Sequence, residues 1–141
     1  MFLFILYSVS VIVAASATEY GTLEIRFDRA QGKIDIDGKN CDNCFLCYNK
    51  CDPYMKVKID GVEKFRTSTA WDNESPTFNE VFTSERISKD ANIAIEMWDD
   101  DAGDSEDDLM SRWERVKFDP SKTQDVLDDL QNSIRIFAQW K

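Results

Sequence analysis

The sequence predicts an all-β fold, an antiparallel sandwich with one short helix near its C-terminus. Three observations predict it: short runs of alternating apolar and polar residues recur, turn-forming residues separate them, and helical spacing of apolar residues occurs once, late in the chain. Thr22 to Phe27 sets Leu23, Ile25 and Phe27 against Thr22, Glu24 and Arg26, as a half-buried strand does. Tyr54 to Ile59 alternates in the same way, and Asp60-Gly61 is a hairpin turn leading into Val62 to Thr67. Thr77 to Phe82 is a further short strand. Asn92 to Trp98 places Ile93, Ile95 and Met97 on one face, and Trp113 to Phe118 opposes Trp113, Arg115 and Lys117 to Glu114, Val116 and Phe118. Pro120 to Leu130 carries Val126, Leu127 and Leu130 at helical spacing, with Asp119 as a cap before Pro120. Ile134 to Trp140 closes as a strand. Many short strands and one late helix indicate two packed antiparallel sheets. Phe78, Trp98 and Trp113 are expected in the core, and Asn79 and Glu80 in architectural roles.

Met1 to Ala17 carries no side-chain charge, runs through Phe2-Leu3-Phe4-Ile5-Leu6 and Val11-Ile12-Val13, and ends in Ala15-Ser16-Ala17. This reads as a signal peptide cleaved after Ala17, being short of the ~20 apolar residues a membrane span needs. Residues 18–141 then form a single secreted, extracellular domain. The net charge is −10 and histidine is absent. Such a chain is repelled by nucleic acid and by anionic membranes, so nucleic acid is excluded and docking on an anionic surface needs a local cation. The lack of histidine removes His-based triads and His-metal sites.

All four cysteines, Cys41, Cys44, Cys47 and Cys51, fall in one insertion at residues 41–51. The spacing matches a bacterial iron–sulfur run, but Asp52 follows where that run carries proline, and no distant fourth ligand exists. In a secreted chain the cysteines read as two disulfides, with a four-thiolate zinc knot as the alternative. The three possible pairings stay open.

Two acidic sites stand far apart in sequence. Asp52-Pro53-Tyr54 opens one strand, and Asp99 to Asp108, seven of ten residues acidic, leaves the end of another. So many carboxylates at a strand end repel one another unless a cation neutralises them, and a hard divalent cation with oxygen ligands, calcium above all, is suited to it. A solvated acidic loop is the plainer reading. An EF-hand does not fit, since neither Gly38 nor Gly103 follows acidic ligands at the required positions.

The order of motifs is specific. Arg29-Ala30 ends a strand; Asp52-Pro53-Tyr54, Lys64-Phe65-Arg66-Thr67, Ser75-Pro76-Thr77-Phe78-Asn79-Glu80, Met97-Trp98-Asp99-Asp100-Asp101 and Asp107-Asp108-Leu109-Met110 then follow in turn. This resembles the C2 domain, and the acidic loop also looks like that of the membrane-docking domain of perforin. The resemblance implies an eight-stranded sandwich whose loops at one end hold calcium and then dock on phospholipid. Residue by residue, it implies calcium ligands at Asp52, Asp99 and Asp101, and at either Asp107 or Asp108. The earlier first-loop ligand is assigned to Asp37, with Asp35 and Asp42 as rivals. Asp100, Asp104 and Glu106 are left as background charge.

The third-loop tip, Ala102-Gly103, lacks the bulky apolar or basic residues common in membrane-penetrating members. Phe45 and Leu46 in the cysteine loop and Trp71 in the second loop are the candidate membrane contacts; Phe45 and Leu46 could equally cover the sandwich edge. Asn73-Glu74-Ser75 is a glycosylation sequon in the same second loop, weakened by Pro76. The expected partner is an anionic phospholipid surface in the presence of calcium, with a protein partner as the alternative. Catalysis by paired carboxylates is a third, weaker reading, and the chain is read as not an enzyme.

Overall fold

A computed structural model of the chain describes residues 17–38, 41, 50–101, 106–118, 124–129 and 131–141. Within them run eight strands: β1 (Tyr20–Gln31), β2 (Pro53–Ile59), β3 (Val62–Arg66), β4 (Thr77–Ser88), β5 (Ile93–Asp99), β6 (Asp108–Trp113), β7 (Asp125–Asp128) and β8 (Ser133–Trp140). They form two four-stranded antiparallel sheets, ordered β4-β1-β8-β7 and β3-β2-β5-β6, so the expected sandwich is what the chain adopts.

Alternation decides which side chains meet between the sheets. Leu23, Ile25 and Phe27 of β1, Met55, Val57 and Ile59 of β2, Ile93, Ile95 and Met97 of β5, and Ile134 and Ile136 of β8 are all buried. Truncating one of them, as in Ile95→Ala, removes its burial and leaves a cavity, a cost of about 2–5 kcal/mol. Asp60 and Gly61 both take positive φ, 51° and 82°, which the tight β2–β3 hairpin requires. Just past β1, Gly32 packs closely where the chain leaves the core for the first loop: a Cβ would stand 2.8 Å from Met110 Cε and 3.0 Å from Met97 Sδ, so a larger residue there requires these methionine side chains to shift.

The outer face of the β3-β2-β5-β6 sheet is polar but not fully wet. Glu96 is only 1% exposed, although it points away from the core. Its carboxylate accepts from Lys58 Nζ at 3.0 Å, Arg112 Nε at 2.8 Å and Trp98 Nε1 at 2.9 Å. Burial alone would raise its pKa; the Lys58 and Trp98 hydrogen bonds, with the Lys58 and Arg112 charges, outweigh that and hold it below the ordinary value. Trp98 therefore is not core, contrary to expectation. It is half-buried on the outer face, with Lys56 Nζ 4.7 Å from its ring centre. Phe78 and Trp113 do pack against the core.

Two elements differ from the sequence expectation. The expected strand from Trp113 to Phe118 begins earlier and ends at Trp113, because Arg115 takes φ of 52°, which a strand cannot continue through. Val116 and Phe118 still reach the core, hence the alternation read there. The expected helix over Pro120 to Leu130 is not formed where the segment is described: Asp125–Asp128 is the edge strand β7, paired with β8. Leu127 packs on the core while Val126 is exposed, a period of two, and pairing with β8 satisfies the backbone of a short segment with a β-branched residue. Asp119, Pro120 and Leu130 lie outside the described residues, as does the expected signal segment up to Ser16. Among the described residues no helix is long and apolar enough to cross a membrane.

Candidate metal centre

The ends of β2, β5 and β6 meet at one edge of the sandwich. Pro53 pairs with Asp99, and Asp99 pairs with Asp108 across the next ladder. Proline suits the first position of a strand because it has no N–H to give and holds the preceding residue extended. The last amide N–H before β2 is thus that of Asp52, and it donates to Asp99 Oδ1 at 2.5 Å. In return the Asp100 amide donates to the Asp52 carbonyl at 3.1 Å. Residues from the two acidic sites are therefore bonded to each other directly.

Two further carboxylates of the rim, those of Asp52 and Asp107, are held by donors of their own. Asp52 Oδ1 accepts the Asp72 amide from the loop between β3 and β4. Asp107 Oδ2 accepts the Tyr54 hydroxyl at 2.6 Å, and Asp107 Oδ1 accepts the Asp101 amide at 3.4 Å. Burial, then the bond to Asp107, push the Tyr54 phenol well above its ordinary pKa, so it stays a donor. Among the described residues no three carboxylates bring their oxygens within 4.8 Å of one another. Like charges keep apart, and backbone amides hold them at separate stations around one rim.

Asp99 is the deepest, at 3% exposed. Its parity with Met97 turns it toward the space between the sheets, where Cys41 and Cys51 form a disulfide with Cα atoms 5.0 Å apart. One carboxylate oxygen of Asp99 and both sulfurs lie within 4.8 Å of one another. The sulfurs are consumed in the bond and carry no thiolate, so this trio is not itself a metal site. Cys44 and Cys47 lie outside the described residues, as do Phe45 and Leu46.

Asp108 sits opposite Asp99, and residues opposite in a ladder project to the same face, whereas Asp107 is turned to the outer face by Tyr54. Asp107 and Asp108 thus occupy different stations on the rim. Asp100, read as background charge, has a defined place: its Oδ2 accepts from Arg66 at 2.9 Å and from Thr69 Oγ1 at 2.7 Å, while the Arg66 guanidinium stacks 3.6 Å from the Tyr54 ring centre.

The first loop is brought to this rim by Asn132, a residue with no motif around it. It is buried, and its Oδ1 accepts from the amides of Lys33 and Ile34 at 2.9 and 3.4 Å. Its Nδ2 donates to the carbonyls of Ile34 and Met110 and to Ser111 Oγ. The Ile36 amide then donates to the Leu109 carbonyl at 2.8 Å, next to Asp108. Asp35 and Asp37 flank Ile36 in a turn closed by Gly38, whose amide donates to the Asp35 carbonyl. Asp37 is exposed and Asp35 half-buried; Asp42 lies outside the described residues.

The donors on this rim are carboxylate and carbonyl oxygens, with no imidazole or free thiolate described among them, and that set fits a hard cation such as calcium. A family model for the C2 domain matches residues 21–128. The chain belongs to the C2 domain family. Among solved structures, human GIVD cytosolic phospholipase A2 superposes with a TM-score of 0.68 at 19% identity, covering 89% of this chain and 17% of that one. A structure described as a C2 domain gives 0.66 at 16% identity, covering 86% of this chain and 98% of that one. The calcium-bound tandem C2 domains of Extended-Synaptotagmin 2 give 0.59 at 23% identity, covering 85% of this chain and 45% of that one. These likenesses concern the fold, and the chain spans under a fifth of the phospholipase. No curated protein matches in sequence.

In this C2 domain the second loop closes onto the same rim. Ala70 and Asn73 donate their amides to the carbonyls of Pro53 and Cys51, both at 3.0 Å. Trp71 stands between them, 58% exposed, and Ile36 on the first loop is 60% exposed. Trp71 was singled out from the sequence; Ile36 was missed, although an isoleucine between two aspartates in a polar loop is itself a signal. Asn132 and Thr69 gave no comparable signal.

Proposed function

We propose that this C2 domain is a secreted, non-catalytic calcium-binding module that docks on anionic phospholipid through its loop rim. The observation that carries the reading is the convergence of Asp52, Asp99, Asp101 and Asp108 from three adjacent strand ends, with Asp99 buried beneath them. Asp52, Asp99, Asp101 and Asp108 would hold the cation, with Asp35 or Asp37 from the first loop; Asp107, drawn to Tyr54, has the weaker claim. Bound calcium supplies positive charge that reverses the sign of a rim otherwise repelling phosphate. The chain's own amides keep the carboxylates pre-arranged, and Arg66 neutralises Asp100 so that it does not add to the repulsion. Exposed Trp71 and Ile36 offer apolar surface beside the charged rim, as an interfacial contact needs. Secretion rests on the apolar segment ending at Ala17.

Co-sedimentation with phosphatidylserine-containing vesicles, with and without calcium, tests this reading. Pelleting that requires both calcium and the anionic lipid is the expected result. Calcium binding without pelleting would favour a second reading, a protein-interaction module whose loops calcium only stiffens. The exposed Asn73 of the sequon, on the same rim, favours that second reading, since a glycan there would obstruct a bilayer.

A further inference from the structure

We infer that the Cys41–Cys51 disulfide is a positioning element of the carboxylate rim, so that calcium affinity depends on this bond being closed. The inference rests on the calcium reading above. Both sulfurs lie within 4.8 Å of an Asp99 carboxylate oxygen. Cys51 is fully buried and Cys41 is 7% exposed. Cys51 directly precedes Asp52, whose amide holds Asp99, and the Cys51 carbonyl anchors the second loop through Asn73.

The bond therefore touches two of the four principal carboxylates, one through space and one through the chain. Its sulfurs form an apolar wall that keeps water from the buried side of Asp99, where low dielectric strengthens attraction to a cation. It also ties the first-loop arm at Cys41 to the start of β2, which fixes the Asp52 backbone from its N-terminal side. Once the bond opens, two thiols replace it and nothing holds them at bonding distance. Water then reaches Asp99, and the Asp52 amide is no longer fixed against it. A thiol reductant performs that opening: two electrons and two protons enter, the Sγ–Sγ bond becomes two thiols, and the reductant leaves as its own disulfide.

The test uses the full chain in a C44S/C47S background, so that only this pair can react. Calcium affinity is measured by calorimetry on the oxidised protein, on the dithiothreitol-reduced protein, and on C41S/C51S and C41A/C51V variants, each checked for a native far-UV spectrum. The expected result is an affinity about tenfold or more weaker in every folded form that lacks the bond, the size typical of losing support around a metal ligand. By linkage, saturating calcium then shifts the thiol–disulfide equilibrium toward the disulfide by the same factor. Unchanged affinity in a folded, opened form overturns the positioning role and leaves the calcium reading standing. If every route to opening unfolds the chain, the bond is a general staple and the positioning role is likewise overturned. If the oxidised protein itself binds no calcium, the calcium reading falls and this inference with it.

Discussion

The backbone amide of Asp52 donates to the carboxylate of Asp99 at 2.5 Å, across 47 residues of sequence. This contact joins the start of β2 to the end of β5 at the rim and orients the buried carboxylate with a donor that needs no cation. An asparagine at position 99 retains an acceptor oxygen for the same amide but loses the charge. Asp99→Asn combined with Asp101→Asn is therefore expected to leave the melting temperature without calcium within a few degrees of the parent. With calcium at about 10–100 times Kd, the parent gains about 1–3 kcal/mol by mass action and the double variant gains nothing, as thermal melts will show.

Tyr54 is buried, stacked under Arg66, and its hydroxyl restrains Asp107. Tyr54→Phe keeps the packing and deletes the donor. The expected cost is about 1–2 kcal/mol in urea denaturation, at the lower end for a bond to a charged group because Asp107 is partly open to water. The calcium affinity should change less than in Asp99→Asn. A larger loss would assign Asp107, rather than Asp108, to the cation.

Glu96 gives a pH dependence of known sign. Its folded pKa lies below the ordinary 4.5. Its contribution to stability is complete above that ordinary value and is lost as pH falls below it toward the folded pKa. Glu96→Gln should cost about 1–2 kcal/mol at neutral pH, discounted because Lys58 and Arg112 remain partly solvated. The variant should also lose less stability than the parent as pH falls below that ordinary value. Denaturant melts at several pH values measure both effects.

Asn132 satisfies backbone groups of the first loop and of β6 at once. Asn132→Ala orphans several of these in a buried place, and a loss of about 2–4 kcal/mol is expected in denaturant melts. A loss below about 1 kcal/mol would show that the first loop is held by other means.

Trp71 and Ile36 are exposed beside the rim and carry none of the cation's charge. Trp71→Ser with Ile36→Ser should weaken vesicle binding about tenfold or more, in line with ~1.5–3 kcal/mol for a large apolar side chain fully removed from water. Calcium affinity measured without lipid should be unchanged. Equal vesicle binding by the variant would place the lipid contact elsewhere.

Much of this was legible because period-two alternation maps directly onto a sheet with one buried face: Leu23, Ile25 and Phe27, or Ile93, Ile95 and Met97, could be placed without coordinates. The rim was half legible. Asp52 and Asp99 stand beside strand signals, and the motif order linked them. Asp107 and Asp108 could not be told apart without the β5–β6 register and the Tyr54 hydroxyl. Alternation turns Glu96 outward, and nothing in a period-two pattern shows that three donors bury it there. Asn132 acts at a distance of 99 residues from Lys33, which no local pattern reveals. The β7 segment misled for the opposite reason: Val126 and Leu127 mimic a helical spacing that edge pairing with β8 overrides.

Whether the carboxylate rim holds calcium is decided by calorimetric titration of the oxidised chain with calcium. Saturable binding is expected in the range of roughly 10⁻⁴ to 10⁻³ M that typifies extracellular calcium modules, abolished by Asp99→Asn with Asp101→Asn. Absence of binding at millimolar calcium, or binding that the double variant retains in full, would contradict the calcium reading.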